Sequence, residues 1–299
     1  MRILITGVTG YIGSSLARCL LAEGHQVFGL VREPVRRTYL QDLADRLTLL
    51  PCDGTGEGLA RQMEHCKPEL AYHLAAHYTG AHDLENIREM LASNIALGAY
   101  LLESLAACGC RNFIYASSIM EHYRGREYCP LNLYAATKRA FCDLLCYYAD
   151  AGLLHTGVLV LSDTYGPGDQ RPKILNLIRR RLGTEEPIDL SDGGQDYAAV
   201  YIDDVVSAFV LAGRQLCEGQ WDNRSFQILP AEIHTLRETV DQLVRISGET
   251  LCARWGALPA AGRQIRRVPR LYPPVPGWAP RVTLEEGYRR LLGREVQTC

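Results

Sequence analysis

The sequence lacks a surplus of charge of either sign: 34 acidic side chains stand against 32 lysines and arginines, a formal net charge of −2 over 299 residues. Charge-driven binding to nucleic acid or to an anionic membrane needs a basic surplus, so neither partner is expected. Long hydrophobic runs are also missing, and none approaches the roughly 20 residues of a membrane-spanning helix. The opening MRILITG has none of the zones of a secretory signal, so a cytoplasmic location is expected. Cysteine is plentiful, at eleven residues, but the spacing of a metal framework is absent. Cys108 and Cys110 make one pair and Cys142 and Cys146 lie one helical turn apart, with no second paired set. Free thiols acting as small hydrophobes are expected, and no metal. His73, His77, His82 and His122 match no ligand template and read as packed or surface side chains. Without repeats or low-complexity runs, the length suits one well-buried domain with a smaller appended lobe.

What is present begins at residue 2. RILIT is a short apolar run that stops at Gly7; GVTGYIG follows, and then SSLARCLLAEG with helical periodicity. Glycines at 7, 10 and 13 suit a tight turn, close backbone approach to a pyrophosphate, and close helix–strand packing. The helix start adds free N–H groups and a positive dipole end. Gly7, Thr9, Gly10, Tyr11, Ile12 and Gly13 are therefore candidate dinucleotide contacts. The next strand, QVFGLVRE, ends where such folds select their cofactor. An acid there would bind a ribose 2′-hydroxyl, whereas Arg32, with Arg36 and Arg37 close behind, suits a 2′-phosphate. NADP(H) is expected in preference to NAD(H). LTLLPCD ends at Asp53, and LAYHLAA ends in small residues that let the backbone pass close to a cofactor. Alternating strands and helices of this kind specify an α/β fold, a Rossmann-type doubly wound parallel sheet. The rhythm changes near residue 165, so residues 1–165 are expected to form the dinucleotide domain. Residues 166–299 would form a substrate lobe interleaved with the last sheet strand.

FIYASS puts Ser118 at the carboxyl end of a parallel strand, the edge where open α/β sheets bind ligands. In LYAATKRAFCDLLCYYA, Tyr134 and Lys138 lie one helical turn apart and share a face. A phenol with an ordinary pKa of about 10 is a poor acid or base at neutral pH. A neighbouring ammonium is expected to bring it nearer neutrality. Ser118 would orient a carbonyl, Tyr134 would exchange its proton, and Lys138 would tune the phenol and hold a ribose.

TGVTGYIG, Asp53, HLAA, Asn94, Ser118, YAATK and DTYGPGD fall in the order they take in the extended short-chain dehydrogenase/reductases, which the chain resembles over nearly its whole length. The resemblance implies a catalytic set of Ser118, Tyr134 and Lys138. It also implies cofactor contacts from Arg32, Asp53 near the adenine, Leu74, Ala75, Ala76 and Asn94 on the active-site floor, together with Tyr134 and Lys138.

Three reactions compete within that family. Dehydratases carry an Asp–Glu pair directly after the catalytic hydroxyl, where this chain has Ile119 and Met120. Epimerases hold NAD tightly and carry a ribose-binding acid, where this chain has Arg32. Reduction is therefore favoured, and the segment from Ser118 to Tyr134 is similar to the 4-ketoreductase branch of the CDP-abequose and paratose synthases. The resemblance implies a nucleotide-diphosphate sugar substrate met by Ile119, Met120, His122, Asp163, Arg171 and Lys173. Glu121 and His122 are expected on the pocket wall, and Arg263, Arg266, Arg267 and Arg270 are further candidates for the diphosphate. Tyr197 and Ala198 replace the Arg–Asp pair that many relatives place before the YIDD segment. A 4-epimerase with bound NAD and a non-catalytic dinucleotide sensor are the alternatives. A homodimer through helices at 84–107 and 133–150 is also implied.

Overall fold

The computed structural model describes residues 1–79, 83–259 and 262–294, so His82 lies outside the described residues. A seven-stranded parallel sheet organises the chain, in the order β11-β6-β5-β4-β1-β2-β3. Its strands are β1 (Arg2–Thr6), β2 (Gln26–Val31), β3 (Thr48–Pro51), β4 (Leu70–His73), β5 (Asn112–Ser118), β6 (His155–Leu161) and β11 (Arg224–Ile228). The order reverses between β1 and β4, which opens a crevice at the carboxyl ends of the strands. This is the doubly wound fold expected from the sequence.

Alternation along β1 shows how both faces are covered. Ile3 and Ile5 enter one apolar cluster with residues of α1 (Tyr11–Ala22) and α7 (Ile202–Cys217). Leu4 enters the other, with α2 (Gly56–Cys66), α4 (Leu97–Ala107) and α5 (Leu133–Asp150). Strands buried on both sides need apolar residues throughout, which accounts for the near-continuous runs in the sequence. Beyond β6, the pairs β7 (Asp163–Tyr165) with β10 (Ala199–Tyr201) and β9 (Asp196–Tyr197) with β12 (His234–Thr235) build small two-stranded ribbons.

One expectation is corrected. The helix over Leu84–Ala107 runs for 24 residues and contains an 18-residue stretch of mean hydropathy 1.3, long and apolar enough by composition to cross a membrane. Ser93, Asn94 and Glu103 interrupt the run and hide it from a reading by eye. Its Leu101, Leu102 and Leu105 are fully buried in the cluster beneath the sheet, so here that apolar surface is core.

The turn after β1 is built by close contact. Gly7 has φ of +72°, and a Cβ on Gly13 would stand 2.3 Å from the Gly7 carbonyl oxygen. Gly10 caps α1 without a side-chain hydrogen bond, leaving the first N–H groups of the helix without a side-chain partner. Gly13→Ala is therefore expected to lower stability by about 1–3 kcal/mol through overpacking. Urea denaturation checks this, and an unchanged midpoint would mean that α1 can slide away from the turn.

Candidate active site

Tyr134 and Lys138 stand on the first turns of α5, a helix started by Asn132, whose side chain accepts the Ala135 N–H at 2.9 Å. Lys138 is 3% exposed and crosses to the end of β5, donating to the Ala116 carbonyl at 2.6 Å and to the Tyr115 hydroxyl at 3.3 Å. Its Nζ also lies 4.6 Å from the Tyr115 ring centroid and 5.7 Å from that of Tyr134. Burial lowers its pKa to about 8, against a raising effect from the Glu121 carboxylate. That value stays above neutrality, so the buried group is still an ammonium at pH 7.

The expectation for Tyr134 is corrected. Its pKa lies above the ordinary phenol value, raised by burial first and then by Glu121 and Tyr78. The ammonium that was to lower it is bound instead to the Ala116 carbonyl and Tyr115. Tyr134 therefore presents a protonated hydroxyl at neutral pH. Tyr78, which sequence reasoning missed, is exposed and packs edge-on against it, with ring centroids 5.0 Å apart.

Ser118 closes β5 and caps the short turn Ile119–Glu121; its Oγ accepts the Met120 N–H at 3.2 Å. Ile119 and Met120 are partly buried in that turn. Glu121 is 1% exposed, so it stands beneath the pocket wall on which it was expected. It accepts from the Ser118 N–H at 3.2 Å and from the Ser117 hydroxyl. His122 is likewise buried, because its Nδ1 meets the carbonyls of Arg126 and Glu127 and its ring packs on Tyr272. It braces the loop that follows.

Asn94 lies in a π-helical turn, Ala92–Ala96, between α3 (Leu84–Leu91) and α4. Its amide accepts the His77 N–H at 2.7 Å and donates to the His77 carbonyl and to Thr137 on α5. Both donors are used within the protein, which ties the loop after β4 to α5. The adjacent Ser93 accepts from Arg32 at 3.2 Å, a contact that sequence reasoning missed. Arg32 is exposed at the end of β2. Asp53 is exposed after β3, its carboxyl held below its usual range by bonds from Thr55.

On the lip after β4, Leu74 is half-buried, and the Ala75 N–H donates to Thr6 Oγ1 at 3.1 Å while Ala76 is exposed. Thr6 also bonds the buried His73, whose pKa falls to about 3 through burial and the nearby Lys138, so that ring is neutral. Tyr11 reaches from the glycine turn to the Pro167 carbonyl, and the Arg171 guanidinium lies over its ring at 5.0 Å. Thr9 and Ile12 flank that tyrosine in the same turn. A turn with no room for a Cβ at Gly13, and helix N–H groups without side-chain acceptors, fits a dinucleotide phosphate.

The basic candidates are largely engaged. Arg171 makes a two-bond pair with the buried Asp169 at 2.8 Å. Arg263 donates to the Pro130 and Leu131 carbonyls, while Arg266 and Arg267 pair with Asp192 and Asp196. Arg270 is exposed. Lys173 pairs with Asp163 at 2.9 Å, and Asp163 also accepts from Tyr197. A cavity of about 180 Å³, lined by Tyr165, Tyr197, Glu232, His234 and Tyr288 among others, lies elsewhere; none of Ser118, Tyr134 and Lys138 lines it. Among the described residues no three His, Cys, Asp or Glu side chains are grouped to hold a metal, and the cysteines there are free thiols.

A lysine whose folded pKa is depressed opposes folding while it is charged. That opposition is complete below about pH 8 and fades as pH rises towards its ordinary 10.5. The stability of Lys138→Met relative to wild type should therefore be greater at pH 7 than at about pH 10. Urea melts at both values check this, and an equal difference at both would show that the ammonium is not under a burial penalty.

Residues 3–227 match the NAD dependent epimerase/dehydratase family. The chain is 32% identical over 244 residues to CDP-abequose synthase of Yersinia pseudotuberculosis, covering 80% of this chain and 82% of that one. It resembles the structure of UDP-glucose 4-epimerase from Thermotoga maritima with UDP-glucose, at 26% identity and a TM-score of 0.84, with 98% of each chain covered. The Thermus thermophilus UDP-glucose 4-epimerase in complex with NAD has the same fold, at 24% identity, a TM-score of 0.82 and 98% coverage of each chain. The glycine turn, the strand-end serine and the half-buried Tyr134 with its buried Lys138 thus sit within a match that runs through the sheet, and the chain belongs to the NAD dependent epimerase/dehydratase family.

Proposed function

We propose that the protein reduces the C4 ketone of a nucleotide-linked 4-keto-deoxyhexose, a CDP- or dTDP-sugar, with NADPH. The observation that carries this reading is the Tyr134 ring standing 5.7 Å from the buried Lys138 ammonium at the carboxyl end of β5, with the phenol pKa raised by burial. Reduction of a ketone needs a proton donor, and a raised phenol pKa keeps that donor loaded at neutral pH. Ile119 and Met120 support the reading, since elimination of water would need acids where these side chains stand. The likeness to CDP-abequose synthase points the same way.

In this mechanism the glycine turn, Arg32, Asp53, the lip at Leu74–Ala76 and Lys138 hold the dinucleotide, and Asn94 braces that lip against α5. When bound, the dinucleotide supplies a hydride to C4. Ser118 hydrogen-bonds the ketone oxygen and turns it towards Tyr134, which gives up its proton as the alcohol forms. Lys138 stabilises the phenolate left behind, and solvent returns the proton. Asp163 and Lys173 face the sugar nucleotide. The same reading pairs two copies of the chain through helices 84–107 and 133–150, where Leu84, Leu91, Tyr100 and Tyr147 are exposed.

A second reading, 4-epimerisation with retained NAD, is favoured by the likeness to the two 4-epimerases. One panel separates the two: CDP-, dTDP-, UDP- and GDP-linked 4-keto sugars, each assayed with NADPH and NADH. Turnover of NADPH with a CDP or dTDP substrate is expected, and Tyr134→Phe should lose about 10²-fold or more of it. NAD copurifying with the protein, without NADPH turnover, would support epimerisation. Wild-type NADPH oxidation by Tyr134→Phe would sink the mechanism. Arg32→Glu should move the preference from NADPH towards NADH by about tenfold, measured as the ratio of kcat/KM values.

A further inference from the structure

A buried carboxylate lies within this site without a direct ionic partner among the described residues. Glu121 is 1% exposed, and its oxygens meet the Ser118 N–H at 3.2 Å, the Ser117 hydroxyl, and the Cys142 thiol of α5 at 3.8 Å. None of these groups is a cation. Lys138, the ammonium one turn before Cys142, gives its own hydrogen bonds to the Ala116 carbonyl and the Tyr115 hydroxyl. Burying a charge is costly unless hydrogen bonds or an opposite charge compensate it. Placing a carboxylate here instead of an apolar side chain therefore needs a use.

We propose that Glu121 is a positioning residue of the active site. Its carboxylate bonds the Ser118 amide in a capping box and so sets the Ser118 hydroxyl at the strand end. It also supplies the negative charge that opposes the Lys138 ammonium, which stands one turn before the Cys142 thiol that Glu121 meets. The first role follows from the bonds: Ser118 caps the turn, and Glu121 closes it from the third position. Loosening that turn would let the hydroxyl swing away from its place beside the ketone, and this part rests on the function proposed above. The second role does not depend on the substrate.

The electrostatic surroundings agree. Glu121 raises the pKa of Lys138, and also those of Tyr115, Tyr134 and Cys142. The other groups facing Lys138 are the neutral His73 on β4 and Cys142. Arg139, the next residue along α5, acts on Cys142 by its charge. Among these groups Glu121 is the anion that offsets burial at Lys138. Without it the ammonium would titrate closer to neutrality, leaving less of the cation needed beside a forming phenolate.

The chain has only three lysines, Lys67, Lys138 and Lys173, so its ¹³Cε-lysine spectrum can be assigned with Lys138→Met. In wild type Lys138 should titrate below the ordinary lysine value, at about 8. In Glu121→Gln, which keeps the size and an acceptor but removes the charge, its midpoint should fall by at least about half a unit. An unchanged midpoint would overturn the electrostatic role whether or not any ketone is turned over. Glu121→Asp keeps the charge but shortens the reach by one methylene. It should keep the Lys138 midpoint near wild type and lose about tenfold in kcat, with a smaller change in KM. Unchanged kcat in Glu121→Asp, with wild-type ketone reduction active, would overturn the positioning role. If Glu121→Gln does not fold, Glu121→Asp still tests both parts, because a Lys138 midpoint that falls despite the retained charge contradicts the electrostatic role.

Discussion

The Lys138 ammonium is the constraint to which the site is built. It is buried, and its strongest hydrogen bond goes to the Ala116 carbonyl, two residues before the end of β5. That bond joins α5 to β5, so the positions of Tyr134 on one and Ser118 on the other are linked through a single charged contact. Charge-assisted hydrogen bonds of this kind are worth about twice a neutral one. The cost of burial nevertheless shows in the depressed pKa. The balance leaves the ammonium intact at neutral pH, with little margin.

Around that contact a second connection runs through the π-helical turn at Ala92–Ala96. The extra residue in the turn lets neighbouring side chains reach in different directions. Ser93 meets Arg32 at the end of β2, and Asn94 meets His77 and Thr137. The end of β2 at Arg32 and the helix that carries Tyr134 and Lys138 are thus tied to one irregular segment. Such irregular turns tend to occur where function needs them.

Much of this was legible in the sequence because it depends on short-range rules. The glycines at 7, 10 and 13, the serine ending an apolar strand and the Tyr–Lys spacing each report a local geometry, and the alternation of strands and helices reports the sheet. What remained hidden depends on partners distant in the chain. Glu121 and His122 looked like wall residues from their place after Ser118, but the turn rotates both inward, towards Ser117 and the Arg126–Glu127 carbonyls. The arginines at 171, 263, 266 and 267 looked available for a diphosphate, and acids or carbonyls elsewhere engage them. Tyr78 carries no motif at all and is recognised only by its packing on Tyr134.

The sequence by itself determined the architecture, because periodicity, glycine spacing and helical register are properties of neighbouring residues. Only the tertiary structure decided the protonation states. A phenol beside an ammonium in sequence can be pulled down in pKa or pushed up by burial, and the outcome depends on where the ammonium donates its hydrogen bonds. Here Lys138 turns to Ala116 and Tyr115, with Glu121 buried nearby, so Tyr134 stays protonated. Electrostatics depends on distances in space and on exclusion of water, and neither is written in residue order.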